Sequence, residues 1–282
     1  MMNQSQRMKN KMEDKIQTPE DKFKILVRRK TIRSFSIFFL LILGAFGIYR
    51  WTITQPKVDN AYAPLRKVLD VNSKIFARGY DNPSLAKEFP KNSAAGRVRV
   101  NGKYGLKSPI DSTLWRLKVV RFSNLAPLPS DTIVITIDEI RKLPKTEVVF
   151  NFKCIEGWSQ ITWWGGVRFS DFAKKYSIGT RDNSIPDTKN SAEKLTDYCG
   201  LITPDREYYV GIDMPSMMHP QTILCYEMNG QPLPENQGAP LRLIIPVKYG
   251  IKHIKRIGTI FFSDSKPPDY WALKGYDYFA GL

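Results

Sequence analysis

The first hydrophobic pattern along the chain is an uninterrupted apolar run near its start. The sixteen residues 34–49, SFSIFFLLILGAFGIY, carry no charge and lie between Arg33 and Arg50. At 1.5 Å per residue they span roughly 24 Å, and snorkelling arginines with an interfacial Trp51 extend this towards the roughly 30 Å of a bilayer core. The run predicts a transmembrane helix over residues 34–53. A cleaved signal peptide and a buried core helix are the alternatives.

The segment before this run is polar and has no sustained hydrophobic period. Residues 1–33 hold ten Lys/Arg and four Asp/Glu, and we expect a mobile basic tail. Because basic residues stay on the cytoplasmic side, the N-terminus should be inside and the rest of the chain in the periplasm or another extracytoplasmic space. Arg28-Arg29 resembles a twin-arginine export signal, although basic residues before any anchor look similar.

After the run, the pattern changes twice. Residues 54–95 contain four prolines and predict a juxtamembrane connector with one short helix near Ser84–Glu88. From residue 96 onward, short β-branched and aromatic runs alternate with turn residues, which is typical of strands. We expect one strand-rich, mixed-sheet α+β domain over residues 96–282. The predicted strands are RVRVNG, WRLKVVRF, TIVITI, EVVFNF, LRLIIPV and IGTIFF, and the predicted helices are IDEIRKL and RFSDFAKKY.

Composition and charge narrow the possible partners. Apolar residues make up 42% of the chain, which is enough for a substantial core, and the formal net charge is +16. Such a charge suits nucleic acid, an anionic membrane surface or an anionic ligand. The chain has no nucleic-acid-binding motif, so we expect no nucleic acid. The three cysteines form no disulfide framework. Cys199 and Cys225 are predicted as two buried thiols, with a disulfide between them as the alternative.

Two segments carry candidate chemistry. Cys154, in FNFKCIEGWS, ends a β-type run and enters a Gly-Trp turn, where a soft thiolate could bind a transition metal. An isolated cysteine is more often a small buried hydrophobe. The second segment, residues 237–258, clusters Arg242, Lys248, Lys252, Lys255 and Arg256 around glycines, which could hold a phosphate or form a solvated basic edge.

Together these segments resemble the molybdopterin oxidoreductases of the sulfite-oxidase fold, in particular the catalytic subunits of periplasmic protein-methionine-sulfoxide reductases. The similar motifs are Cys-x-Glu-Gly-Trp-Ser and Gly-Ala-Pro-x-Arg-Leu followed by Pro-x-Lys-Tyr-Gly-x-Lys-x-Ile-Lys, and the likeness extends from about Asn101 to the C-terminus. The resemblance implies a molybdenum cofactor (molybdopterin) with Cys154 as the metal ligand. It implies cofactor contacts from Asn101, Tyr104, Gly105, Thr203, Gln237, Arg242, Lys252, His253, Ile254 and Lys255.

The same resemblance implies the activity. We expect a membrane-anchored oxidoreductase that transfers an oxygen atom on an S-oxide or similar small oxo substrate, with electrons from a separate membrane cytochrome or quinone-linked partner. Lys153 is a candidate catalytic residue that attracts the substrate, although it stands where the family has arginine, and Gln237 replaces an asparagine. These departures leave the substrate open. A sulfite-type dehydrogenase and a non-catalytic module that binds an anionic ligand are the alternatives.

Three tryptophans and two histidines have weaker expectations. Trp158, Trp163 and Trp164 are candidates for the pocket wall, but plain core is the favoured interpretation of each. His219 is expected to be a hydrogen-bonded structural residue, and His253 to donate to the cofactor phosphate.

Overall fold

The computed structural model describes residues 19–58, 60–79, 85–107, 109–123 and 131–282. The chain divides into two compact units, which are described separately. The first comprises the described residues up to Pro56 together with the separate segment Tyr62–Pro64. The second comprises Lys57–Ala61 and Leu65–Leu282. The first unit contains helix α1, and the second contains both large sheets.

Helix α1 runs over Pro19–Thr54 and has no buried residue. It is long and apolar enough to cross a membrane, judged by length and composition. The helix begins inside the predicted basic tail, so residues 19–33 of that tail are helical. Pro19 suits the first helical position, Glu20 and Asp21 favour the positive end of the helix, and Glu20 pairs with Lys24 one turn on. Residues 1–18 of the predicted tail lie outside the described residues.

The connector contains a helix that was not predicted from the sequence. Two-residue strands β1 (Lys57–Val58) and β2 (Ala61–Tyr62) precede helix α2, which covers Ala63–Gly79. Pro64 falls in the first turn of α2, where its missing N–H costs nothing, so the proline was wrongly taken as a sign of irregular chain. The short helix predicted near Ser84–Glu88 is absent over residues 85–88: residues 85–87 are irregular and Glu88 makes a β-bridge with Phe150. Ser84 lies outside the described residues.

The described residues after α2 form two five-stranded sheets, as expected of a mixed α+β domain. The first sheet is antiparallel, with order β10-β9-β6-β5 and with β11 also paired to β9; the second has order β4-β3-β12-β7-β8 and one parallel pair, β12 with β3. The strands are β3 (Leu117–Val120), β4 (Thr132–Ile135), β5 (Lys145–Lys153), β6 (Ser159–Arg168), β7 (Tyr198–Ile202), β8 (Tyr209–Asp213), β9 (Ile223–Met228), β10 (Gln231–Pro232), β11 (Arg242–Ile244) and β12 (Thr259–Ser263).

Three short helices connect the strands. Helix α3 (Ile137–Arg141) begins with a capping box in which the Thr136 hydroxyl accepts from the Glu139 N–H and the Glu139 carboxylate accepts from Thr136. Helix α4 covers Phe169–Tyr176, and α5 covers Met214–Met217. The predicted helices IDEIRKL and RFSDFAKKY are thereby confirmed. The larger core cluster includes α3, α4 and the inner residues of the second sheet, while a smaller cluster around Phe150, Trp164 and Ile244 lies on the first sheet.

One predicted strand is wrong in an informative way. RVRVNG, residues 97–102, alternates like a strand but forms no ladder. Side-chain amides take the place of a neighbouring strand: the Gln160 Nε2 donates to the Arg97 carbonyl at 3.1 Å, and the Gln237 Nε2 lies 3.4 Å from the carbonyls of Val98 and Arg99. This segment therefore passes over the first sheet as an extended loop, which we call the 97–102 loop.

Candidate active site

The β5–β6 hairpin places Cys154 at its turn. Strand β5 ends at Lys153 and β6 begins at Ser159, and these two residues pair. Within the turn, the Cys154 N–H donates to the Trp158 carbonyl at 2.9 Å and the Gly157 N–H donates to the Cys154 carbonyl at 3.1 Å. Gly157 has a φ of +88°, which favours glycine. The turn fixes the Cys154 sulfur beside a pocket, where the side chain is 6% exposed.

The pocket has a volume of about 290 Å³ and gathers residues from distant parts of the sequence. Seven of the residues implied by the family resemblance line it: Asn101, Tyr104, Cys154, Gln237, Arg242, His253 and Lys255. Asn101, on the 97–102 loop, directs its Nδ2 to the Cys154 sulfur at 3.5 Å. The predicted site thus assembles around the predicted metal ligand.

Arg242 is the main cation of the pocket. It is 2% exposed, and its guanidinium lies 4.6 Å from the centre of the Trp164 ring. Nη1 donates to the carbonyl and the side-chain oxygen of Gln237, at 2.9 and 3.0 Å, and Nη2 lies 3.4 Å from the His253 carbonyl. Burial lowers the pKa of Arg242 to about 10, so it is charged at neutral pH. In the described part of the chain Arg242 makes no ion pair and its Nε has no hydrogen-bond partner.

Lys255 supports the loop that carries Asn101. Its Nζ donates to the carbonyls of Asn101, Gly102 and Asn236, at 2.6, 3.2 and 3.2 Å. Burial and the charge of Arg242 lower the pKa of Lys255 to about 7, while the three carbonyl acceptors favour its protonated form. Lys255 therefore shapes the pocket wall, and with a pKa of about 7 it is partly protonated at neutral pH.

His253 lines the pocket as a neutral ring. Its Nδ1 accepts from the Ile245 N–H at 3.4 Å, and its Nε2 lies 3.1 Å from the Lys248 carbonyl, so Nε2 carries the proton. Burial and the charge of Arg242 lower the pKa of His253 to about 3. Both ring nitrogens are bound to backbone, so donation from His253 to a cofactor phosphate, expected from the sequence, does not fit this arrangement.

Five predicted site residues do not line the pocket. Ile254 is in the core, and Gly105 packs against Thr203, where an added Cβ would lie 2.3 Å from the threonine Cγ2. Lys252 is 1% exposed and its Nζ donates to Asp269 Oδ2 at 2.5 Å and to the Gly211 carbonyl at 2.9 Å. Its charge is compensated, so a direct phosphate contact from Lys252 does not fit. Lys153 is exposed at the end of β5.

Aromatic residues complete the wall, and most were not predicted. Trp158 and Trp164 line the pocket although plain core was favoured for them. Trp163 does not line it, because neighbouring residues of β6 face opposite sides of the sheet. Tyr208, Trp271 and Tyr276 also line it, as does Arg99, whose guanidinium lies 4.7 Å from the Trp158 ring centre. The sequence signal for Arg99 was its position two residues before Asn101. It was not used, because RVRVNG was interpreted as a strand and not as a loop that lines a pocket.

The remaining candidates are structural. Cys199 and Cys225 are free, buried thiols in different sheets, so the favoured expectation is confirmed over a disulfide. Burial raises the pKa of Cys225 to about 12 and raises that of Cys199 as well. His219 is buried and its Nδ1 accepts from the Gln221 N–H, as a structural histidine should.

These residues fit a molybdenum cofactor. Within the described ranges, no group of three or more His, Cys, Asp or Glu side chains is arranged to hold a metal ion. A metal at Cys154 therefore needs further ligands from a cofactor. A buried cation without an anionic partner is costly, and an anionic group of the cofactor would compensate Arg242. The fold and the site thus define a molybdopterin-binding oxidoreductase.

Comparisons with known proteins establish the family. Residues 100–271 match the oxidoreductase molybdopterin binding domain family, and the chain belongs to it. It is 33% identical over 204 residues to a protein of Azospira oryzae named provisionally as the protein-methionine-sulfoxide reductase subunit YedZ1, covering 72% of this chain and 70% of that protein. It is 32% identical over 138 residues to the protein-methionine-sulfoxide reductase catalytic subunit MsrP of Xanthomonas campestris, covering 49% and 43%. The chain thus spans less than half the length of that MsrP.

A solved structure also matches at low identity. The sulfane dehydrogenase SoxCD from Paracoccus pantotrophus aligns with a TM-score of 0.44 at 14% identity, over 56% of this chain and 40% of that one. Family membership confirms the predicted class of fold, the molybdopterin cofactor and the assignment as an enzyme. It sets aside the alternative of a non-catalytic ligand-binding module.

Proposed function

We propose that this oxidoreductase transfers an oxygen atom from an S-oxide or a similar small oxo substrate in the pocket beside Cys154. The observation that carries the proposal is the placement of the Cys154 sulfur and the uncompensated Arg242 in one aromatic-walled pocket. When bound, the cofactor supplies the two-electron chemistry at molybdenum.

The chain's own residues would bind the cofactor and hold the pocket around it. Cys154 would hold the metal through its thiolate, and Arg242 would bind an anionic part of the cofactor. Lys255 and Asn101 hold the 97–102 loop against the Cys154 turn. His253, with both nitrogens bound to backbone, contributes a neutral wall rather than a proton at neutral pH.

The substrate class rests on the relatives and on the pocket wall. The relatives are named for protein-methionine-sulfoxide reductase, and Trp158, Trp164 and Trp271 offer apolar faces that suit a thioether product. Arg99 gives the wall a positive edge for the S–O dipole. Lys153 lies outside the pocket lining, so in this proposal it attracts substrate by charge at longer range and is not in contact with the reacting atoms.

The substrate test compares S-oxides with sulfite. Full-length protein from a cofactor-competent host is assayed for S-oxide reduction with a reduced dye and for sulfite oxidation with an oxidised one. We expect S-oxide turnover that Cys154→Ala abolishes and that Cys199→Ala, a buried cysteine of the other sheet, retains. Sulfite oxidation without S-oxide reduction would overturn the substrate assignment in favour of a sulfite-type dehydrogenase.

We also propose that α1 anchors the enzyme in the cytoplasmic membrane as a single span, N-terminus inside and catalytic domain outside. The supporting features are the apolar length of α1 and the basic residues before residue 34. The relatives' names, which include "subunit" and "catalytic subunit", suit an enzyme that receives electrons from a separate membrane cytochrome or quinone-linked protein.

The anchor is tested by fractionation and protease protection. The full chain should remain in membranes after alkaline washing, and protease added to spheroplasts should digest the domain that contains Cys154. Leu41→Asp, near the middle of the apolar run, should weaken insertion, because a central aspartate costs about 3 kcal/mol. A wild-type chain released by alkaline washing would contradict the anchor.

A further inference from the structure

The pocket has a lip formed by residues 269–276, which follow β12. The lip carries two of the pocket-lining aromatic residues, Trp271 and Tyr276. Between them lies a single turn of 3-10 helix, Ala272–Lys274, which ends at Gly275 with a φ of +96°. The positions of the two aromatic side chains therefore depend on how this short turn is held.

The start of the lip is held from within the domain. Asp269 Oδ1 accepts from the N–H groups of Trp271 and Ala272, at 3.2 and 3.0 Å, and its Oδ2 accepts from Lys252 Nζ at 2.5 Å. Asp269 and Lys252 are both almost fully buried. Lys252 thus helps to hold the start of the lip, because it fixes the Asp269 carboxylate that binds the lip backbone.

The end of the lip is held from helix α2. Arg66 is 5% exposed, and its Nη2 donates to the Ala272 carbonyl at 2.7 Å while its Nη1 donates to the Tyr276 carbonyl at 3.2 Å. One planar guanidinium thus bridges two carbonyls on either side of Gly275. Such a fork fixes the separation of its acceptors, which a lysine cannot do.

We infer that Arg66 is a positioning residue that sets the pocket opening by fixing Trp271 and Tyr276. Arg66 does not line the pocket, so its effect on the pocket passes through the lip. The consequence is that α2, which begins nine residues after α1 ends, belongs to the machinery of the pocket as well as to the connector. The activity readout below rests on the proposed S-oxide substrate.

Helix α2 offers a matched control. Asp70, one turn after Arg66, pairs with Lys266 at 2.7 Å, but both side chains are more than a third exposed. An exposed pair of this kind contributes little to stability. Asp70→Asn therefore disturbs the contact of α2 with the chain just before the lip and leaves the Arg66 fork intact.

The experiment measures hydrogen exchange and kinetics on full-length, cofactor-loaded protein. In Arg66→Ala, amides 273–276 should exchange at least about tenfold faster, since the turn loses its outer support; tenfold is equivalent to about 1.4 kcal/mol of local opening. KM for an S-oxide should rise about tenfold with kcat within about twofold. Arg66→Lys should fall between wild type and Arg66→Ala, and Asp70→Asn should match wild type.

The two readouts separate the two proposals. Faster exchange in the lip without any S-oxide turnover in wild type would leave the role of Arg66 intact and overturn the substrate. S-oxide turnover with unchanged exchange and KM in Arg66→Ala would overturn the role of Arg66. Equal effects in Asp70→Asn would also overturn it, because the lip would then respond to the general docking of α2. Should Arg66→Ala not fold, Arg66→Lys gives the same decision.

Discussion

At the scale of single residues, the basic side chains in and near the pocket differ in whether they already have partners within the protein. Lys252 forms an ion pair with Asp269, and Lys255 donates to three carbonyls. Of these three cations, Arg242 is the one with a buried side-chain nitrogen, Nε, that has no hydrogen-bond partner. The sequence showed a cluster of equivalent basic residues, and it could not show this division because each partner lies far away along the chain.

The first prediction concerns Arg242. Arg242→Lys keeps the charge but loses the planar fork, so cofactor binding should weaken by about 1–3 kcal/mol, or roughly fivefold to 150-fold. The measurement is the pterin retained per protein after dialysis. Arg116→Lys is the control, since Arg116 also donates to carbonyls, those of Thr113 and Trp115, away from the pocket. Equal retention in both variants would contradict a cofactor contact from Arg242.

The second prediction concerns the pH dependence of stability through His253. Its pKa is about 3 in the folded protein against 6.5 for an ordinary histidine. Between these values the unfolded chain binds more protons, so the stability that neutral His253 provides is present above pH 6.5 and is lost as the pH falls, by up to about 1.4 kcal/mol per pH unit.

His253→Gln isolates this effect, because glutamine can accept from the Ile245 N–H and donate to the Lys248 carbonyl without titrating. The free energy of unfolding in urea is measured at pH 6 and pH 5 for both proteins. Wild type should lose about 1 kcal/mol more than His253→Gln over this interval. The same loss in both would show that His253 is protonated in the folded protein.

At the scale of elements, the β5–β6 hairpin and its contact with β9 position the Cys154 turn. Where β6 meets β9, the register shifts between Gly165 and Gly166. The two backbones approach closely there, since a Cβ on Gly166 would lie 2.1 Å from the Leu224 carbonyl oxygen. The Gly-Gly pair in WWGGVR was a visible signal of this irregularity, but β6 and β9 were not predicted.

The third prediction follows from that close approach. Gly166→Ala should lower the free energy of unfolding by about 1–3 kcal/mol, because the neighbouring backbone must shift to admit the methyl group. Gly96→Ala, where nothing lies within 4 Å of the added carbon, should change it by less than about 0.5 kcal/mol. Chemical unfolding of both variants makes the comparison. Equal stability in the two would mean that β6 and β9 do not meet as described.

Local pattern predicted some elements and missed others for identifiable reasons. Strands such as β3, β4, β5 and β12 carry β-branched runs and were predicted, and α3 carries its own capping box. Helix α2 was missed because its early proline suggested irregular chain. The 97–102 loop alternates like a strand, yet its carbonyls are bound by glutamine side chains from elsewhere. Such long-range hydrogen bonds leave no local pattern.

At the scale of the whole molecule, the family resemblance predicted the domain and its central thiol. It also named the cofactor contacts, of which six line the pocket together with Cys154. It assigned neither Tyr276 nor Arg66 to the pocket, because the C-terminal lip and α2 meet only in the folded domain. The sequence therefore predicted the residues that bind the cofactor better than the residues that hold the pocket wall in place.

The central claim is that Cys154 is the protein's ligand to molybdenum. X-ray absorption at the molybdenum edge tests it most directly, on full-length protein and on Cys154→Ser, with Cys199→Ser as the control. We expect the wild type and Cys199→Ser to have the same number of sulfur neighbours at the metal, and Cys154→Ser to have one fewer. An unchanged sulfur count in Cys154→Ser, with molybdenum still bound, would contradict the assignment.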